Sequence, residues 1–99
     1  MNRIDMQRVV NGVRYNTETA QLVASDAYWD GHNFEHGGRN TYLYKTPNGR
    51  FFLHRTTQWA NERDHIEPVS IDEARQYYED LSEHRMEYAE AFGEEPEEA

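Results

Sequence analysis

The chain has no cysteine, so it has no disulfide framework, no thiolate nucleophile and no cysteine-based zinc site. That makes a reducing, intracellular compartment the default expectation. There is also no apolar run near the roughly 18–20 residues that a membrane-spanning helix needs, and no signal-peptide core at the start. Mean hydropathy is −1.10 and only 36% of the residues are hydrophobic, which argues against membrane spans. At 99 residues there is room for one domain and none for a solenoid or a multidomain enzyme. The glycines form no phosphate-cradling loop, and Ser25, Ser70 and Ser82 lie in no nucleophile elbow. No constellation of an enzyme is therefore visible, and no cofactor is expected.

Aromatic side chains and one-sided charge are what the chain has instead. Seven Tyr, four Phe and two Trp supply enough large apolar area for a compact core. The formal charge is −9. Residues 1–69 hold 8 acids and 8 bases, whereas residues 70–99 hold 11 acids against Arg75 and Arg85 alone, so the last third carries the entire imbalance. Such a field repels nucleic acid and anionic lipid and attracts basic protein surfaces.

The strongest local pattern is a hairpin. Thr41–Lys45 and Arg50–Arg55 are rich in β-formers and flank Thr46-Pro47-Asn48-Gly49, whose proline, asparagine and glycine suit a bulged turn. Tyr42 and Tyr44 share one face and Leu43 takes the other, while Phe51 and Leu53 oppose Phe52 and His54. Large groups on both faces predict a central position in the sheet. Asn11-Gly12 predicts a smaller hairpin over residues 8–15. Residues 20–28 fit a strand better than a helix, and residues 56–69 lack a period and predict a connection ending at Pro68.

Ser70-Ile71-Asp72-Glu73 is a capping box that opens a helix, and Gly93 is placed to end it, with a break near Ser82 able to divide it. On a helical wheel Ala74, Tyr77, Tyr78, Leu81, Tyr88 and Phe92 cluster on one side. Asp72, Glu73, Glu79, Asp80, Glu83, Glu87 and Glu90 form a stripe on the other, the candidate partner-binding surface. Along one helix they would span about 27 Å, a charge about every 4 Å, close to the roughly 3.4 Å between phosphates of a DNA strand. The expected fold is α+β: an antiparallel sheet of about four strands with a C-terminal amphipathic helix on one face. Residues 1–92 form the domain and 93–99 a disordered acidic tail.

Two further sets of residues invite a functional reading. Tyr42, Tyr44, Phe52 and Trp59 are candidate anchors for a protein partner, or for self-association, on an aromatic sheet face. His32 and His36 flank Glu35 and, with His54 or His65, are the metal candidates; the glycines around them predict a loop rather than the helix that would bring both rings together.

Arg14-Tyr15-Asn16-Thr17-Glu18-Thr19-Ala20, Tyr42-Leu43-Tyr44-Lys45, Gly49-Arg50-Phe51-Phe52-Leu53-His54 and Ile66-Glu67-Pro68 to Glu73-Ala74 together carry a resemblance. The chain resembles, over about residues 11–92, a diffuse group of small proteins from phages and integrated mobile elements. Similar small acidic proteins include anti-CRISPR inhibitors. The resemblance implies a mobile-element origin, a bacterial cytoplasm, and the basic surface of a host complex, a CRISPR effector above all, as partner. It implies no catalytic residue, and no direct contact with nucleic acid or membrane is expected of the chain, as a monomer or homodimer.

Overall fold

The computed structural model describes residues 6–26, 39–57 and 59–99. The His32–His36 loop and the end of the strand expected over 20–28 lie outside them. In chain order the elements are β1 (Gln7–Val10), β2 (Val13–Asn16), β3 (Gln21–Ser25), β4 (Arg39–Lys45), β5 (Phe51–Thr57), β6 (His65–Val69), α1 (Ile71–Asp80), β7 (Glu83–His84) and α2 (Tyr88–Phe92). The class is α+β, with an antiparallel five-stranded sheet in the order β6-β5-β4-β3-β7 and a separate two-stranded ribbon, β1-β2.

The central hairpin is β4–β5, paired from Arg39–Thr57 to Lys45–Phe51. Its turn closes through Gly49 N–H to the Thr46 carbonyl at 2.9 Å, with Gly49 at φ +82 where a β-carbon is disfavoured. Because side chains alternate, the hairpin presents two apolar faces. Tyr42, Tyr44 and Phe52 pack with Tyr15 and Ile66 beneath the β1–β2 ribbon, against Val10, Val13 and Leu22. Leu43, Phe51 and Leu53 pack with Ala74, Tyr78, Leu81, Ala91 and Phe92 beneath the helices. The ribbon turns at Asn11 (φ +52) and Gly12 (φ +76), the mirror-image turn that matches strand twist. A register shift between Leu22 and Ala24 places both Val23 and Ala24 in the helix-side core.

Two expectations are corrected. Residues 56–69 are not merely a connection: β5 continues to Thr57 and β6 pairs with it from Arg55–His65 to Phe51–Val69. Pro68 is tolerated because β6 is an edge strand. The Ile66 carbonyl points outward, accepting from Arg8 Nη1 at 2.8 Å, and Pro68, two residues on, points its missing N–H the same way.

The second correction concerns the single C-terminal helix. The chain leaves the helix at Leu81 (ψ 134), runs through β7 and re-enters as α2, which Gly93 ends at φ +77. The break falls at Ser82, where β3 still needs a neighbour. Ala24 and Ser25 pair with His84 and Glu83, and the Val23 carbonyl accepts from Arg85 and Met86 N–H at 2.8 and 3.2 Å. Satisfying that edge outweighs continuing a helix. The expected apolar side survives the break: Ala74, Tyr78, Leu81 and Phe92 are buried, and Tyr77 and Tyr88 are packed against them. Residues 94–99 are exposed and irregular.

Phe52 has no exposed surface, stacks on Tyr44 (5.2 Å) and meets Tyr15 edge-on (5.6 Å). Phe52→Ala is expected to cost about 3–5 kcal/mol, a large share of the roughly 5–15 kcal/mol of a typical domain. A urea denaturation curve would check this through a lower midpoint.

Candidate functional site

The acidic surface is built on the helical layer. Ser70 Oγ accepts from Glu73 N–H at 3.1 Å while Ser70 N–H donates to Glu73 Oε1 at 3.0 Å, so the expected capping box sets where α1 begins. Asp72, Glu73, Glu79 and Asp80 lie on α1, Glu83 on β7, Glu87 at the N-cap of α2 and Glu90 within α2. All are exposed except Glu83, which is half-buried. The break at residues 81–87 abolishes the evenly spaced ladder: α1 is only 10 residues long, about 15 Å. What exists instead is an acidic layer, discontinuous along the chain, covering one face of the sheet.

Its members divide by what they already hold. Glu73 belongs to the cap, Asp72 sits 3.7 Å from Arg75, and Asp80 accepts from Gln76 Nε2 at 3.3 Å. Arg75 also pairs with Glu94 and lies over the Phe92 ring at 5.7 Å, joining α1, α2 and the start of the tail. Sequence reasoning missed this clamp, because no local pattern links residues 75 and 94. The carboxylates of Glu79, Glu83, Glu87 and Glu90 take no ion pair or hydrogen bond among the described residues. The only Lys near them, Lys45, donates to the Glu90 carbonyl oxygen instead, at 3.4 Å.

The corner between α1 and β7 is stitched by Tyr78. Its hydroxyl donates to the Met86 carbonyl at 2.8 Å, its ring stacks on His84 at 4.0 Å, and its own carbonyl lies 2.7 Å from His84 Nε2. Burial, and then the nearby charge of Glu87, pushes the Tyr78 phenol above its ordinary value.

The aromatic candidates do not form a surface. Tyr42, Tyr44 and Phe52 are 8%, 3% and 0% exposed, because the β1–β2 ribbon covers the face on which they lie. Trp59 differs, being 52% exposed on the β5–β6 connection. That connection is braced. Thr57 Oγ1 donates to Glu62 Oε1 at 2.7 Å and accepts from Trp59 N–H at 3.1 Å; Glu62 N–H donates to the Trp59 carbonyl at 3.1 Å. Arg39 grips Glu62 through two donors, which holds the Glu62 carboxyl below its ordinary range, with Thr57 adding to the effect. Asp64, beside His65 in sequence, accepts from Thr57 N–H at 2.9 Å and so serves the loop.

Of the metal candidates, His54 is buried beside Tyr42 and Tyr44 on the ribbon side of the sheet. His65 is exposed and opposite Arg55 in register, which puts it on the helix side. The sheet thus separates the two. Among the described residues no three His, Asp or Glu side chains are grouped to hold a metal ion, and no helix is long and apolar enough to cross a membrane. Comparison with family models, with curated proteins and with solved structures finds no match to this chain.

Tyr78→Phe is expected to cost about 1–3 kcal/mol by leaving the buried Met86 carbonyl unsatisfied. Since the folded-state phenol value is raised, the contribution of Tyr78 is complete below the unfolded phenol value and is lost as pH rises through the folded one. Denaturation curves of parent and variant should therefore converge in alkaline buffer.

Proposed function

We propose that the chain is a non-enzymatic binding protein that docks its acidic helical layer on a basic protein surface. In that role it is an inhibitor, of phage or mobile-element origin, that keeps a host complex from its nucleic acid. The observation that carries this reading is the segregation of charge: all of the −9 lies in residues 70–99, and four carboxylates of that layer have no partner among the described residues. Like charges held side by side repel, and a cationic groove relieves that cost. Since β7 interrupts the helix, the layer works as a broad anionic face rather than as a copy of one phosphate strand. The resemblance to mobile-element proteins makes the Lys/Arg channel of a CRISPR effector the leading target, a channel that otherwise holds DNA or guide duplex.

Glu79, Glu83, Glu87 and Glu90 changed together to Gln test the reading, since among the described residues none of the four carboxylates has a hydrogen bond or ion pair to lose. The variant should melt as the parent does, each surface change lying within about 0.5 kcal/mol. It should also bind a purified effector complex of the host at least about tenfold more weakly, roughly 1.4 kcal/mol, and free that complex to shift labelled DNA. A variant that blocks the effector as well as the parent overturns the proposal.

A second reading rests on Trp59, a large ring held outward on a braced turn, as the anchor of a protein–protein module. Salt separates the two. Binding through the acidic layer weakens steeply with ionic strength, whereas binding through Trp59 persists and is lost in Trp59→Ala.

A further inference from the structure

Asparagine followed by glycine occurs twice, at Asn11-Gly12 and Asn48-Gly49, each pair exposed at the tip of a hairpin. The pair is chemically labile. A glycine nitrogen has no adjoining β-carbon to hinder it, so it can reach the side-chain carbonyl carbon of the preceding asparagine and close a five-membered ring.

The attacking nitrogen must first give up its proton, and the two turns treat that proton differently. Gly49 N–H donates to the Thr46 carbonyl at 2.9 Å. The same turn is tied by Thr46 N–H to the Arg50 carbonyl at 2.7 Å and by Arg50 N–H to Thr46 Oγ1 at 3.0 Å. Attack by the Gly49 nitrogen therefore costs a backbone hydrogen bond. Asn11-Gly12 has no such tie. Among the described residues, neither the Asn11 carboxamide nor Gly12 N–H takes a hydrogen bond. Nothing stands within 4 Å of the place a Gly12 β-carbon would occupy, so the turn projects into open space.

We propose that Asn11 is a self-modification site, converting to aspartate and isoaspartate as the folded protein ages, while Asn48 is spared. The Gly12 nitrogen loses its proton to water and bonds to Asn11 Cγ; the side-chain nitrogen takes up a proton and leaves as ammonia. Water then opens the succinimide at one carbonyl or the other. Asparagine plus water have become aspartate or isoaspartate plus ammonium, and nothing is oxidised or reduced. Both products put a negative charge on a ribbon that carries Arg8 and Arg14 and no acid. They differ in shape. Aspartate tolerates the φ of +52 that position 11 holds. Isoaspartate threads an extra carbon through the backbone of a two-residue turn, so Val10 and Val13 can no longer pair as they do. The cover over Tyr42, Tyr44 and Phe52 then loosens from its tip.

The test is peptide mapping by mass spectrometry of the full chain held warm in mildly alkaline buffer, folded and in urea, with Asn11→Gly alongside. In the folded chain the mass gain of OH replacing NH2 should appear at Asn11 about tenfold faster than at Asn48, the scale of one backbone hydrogen bond. In urea the two rates should converge. Amide exchange at Val10 and Val13 should quicken as the parent ages, and should stay constant in Asn11→Gly, whose glycine suits the same turn. Equal rates at the two sites in the folded chain, or faster conversion of Asn48, overturn the proposal. So does an Asn11→Gly ribbon that opens with age as the parent's does.

Discussion

The structure depends on one constraint, that the central hairpin cannot leave either of its faces in water. Tyr42, Tyr44, Phe52 and His54 occupy one side, and Leu43, Phe51 and Leu53 the other, all of them buried. A two-faced hairpin needs two covers. The segment before it supplies the β1–β2 ribbon and the segment after it supplies α1 and α2. Because the covers come from opposite ends of the chain, the uneven charge of the sequence becomes a polarity of the molecule, with a ribbon that carries Arg8 and Arg14 and no acid on one side and an acidic helical layer on the other.

Where a backbone conformation demands a particular residue, the sequence announces the element. Asn11-Gly12 and Gly49 mark turns with positive φ, Ser70 and Glu73 mark a helix start, and Gly93 marks a helix end. The strands without such marks are those whose formation is decided at a distance. β6 carries a proline and a weak alternation, and is a strand because β5 has a free side. β7 is two residues that complete β3. Neither local propensity nor periodicity encodes a neighbour's unmet hydrogen bonds.

The candidate site follows the same division. That residues 70–99 are acidic and largely exposed is legible in composition, and the apolar wheel places the right side chains inward. The spacing of the carboxylates is not legible, since it depends on a break whose cause lies on β3. Likewise, alternation shows that Tyr42, Tyr44 and Phe52 share a face but not that the ribbon covers it. Trp59, outside any alternating segment, is the aromatic candidate that stays at the surface.

The Arg8 contact with Ile66 ties two hazards to a single latch. The same ribbon that shields the aromatic layer also supplies the guanidinium that occupies the outward carbonyl of β6. Detaching the ribbon bares Tyr44 and Phe52 and, in the same event, frees the Ile66 carbonyl on the β6 edge beside them. A local opening of this molecule is thus sticky and strand-hungry at once, the combination from which fibrillar stacking starts.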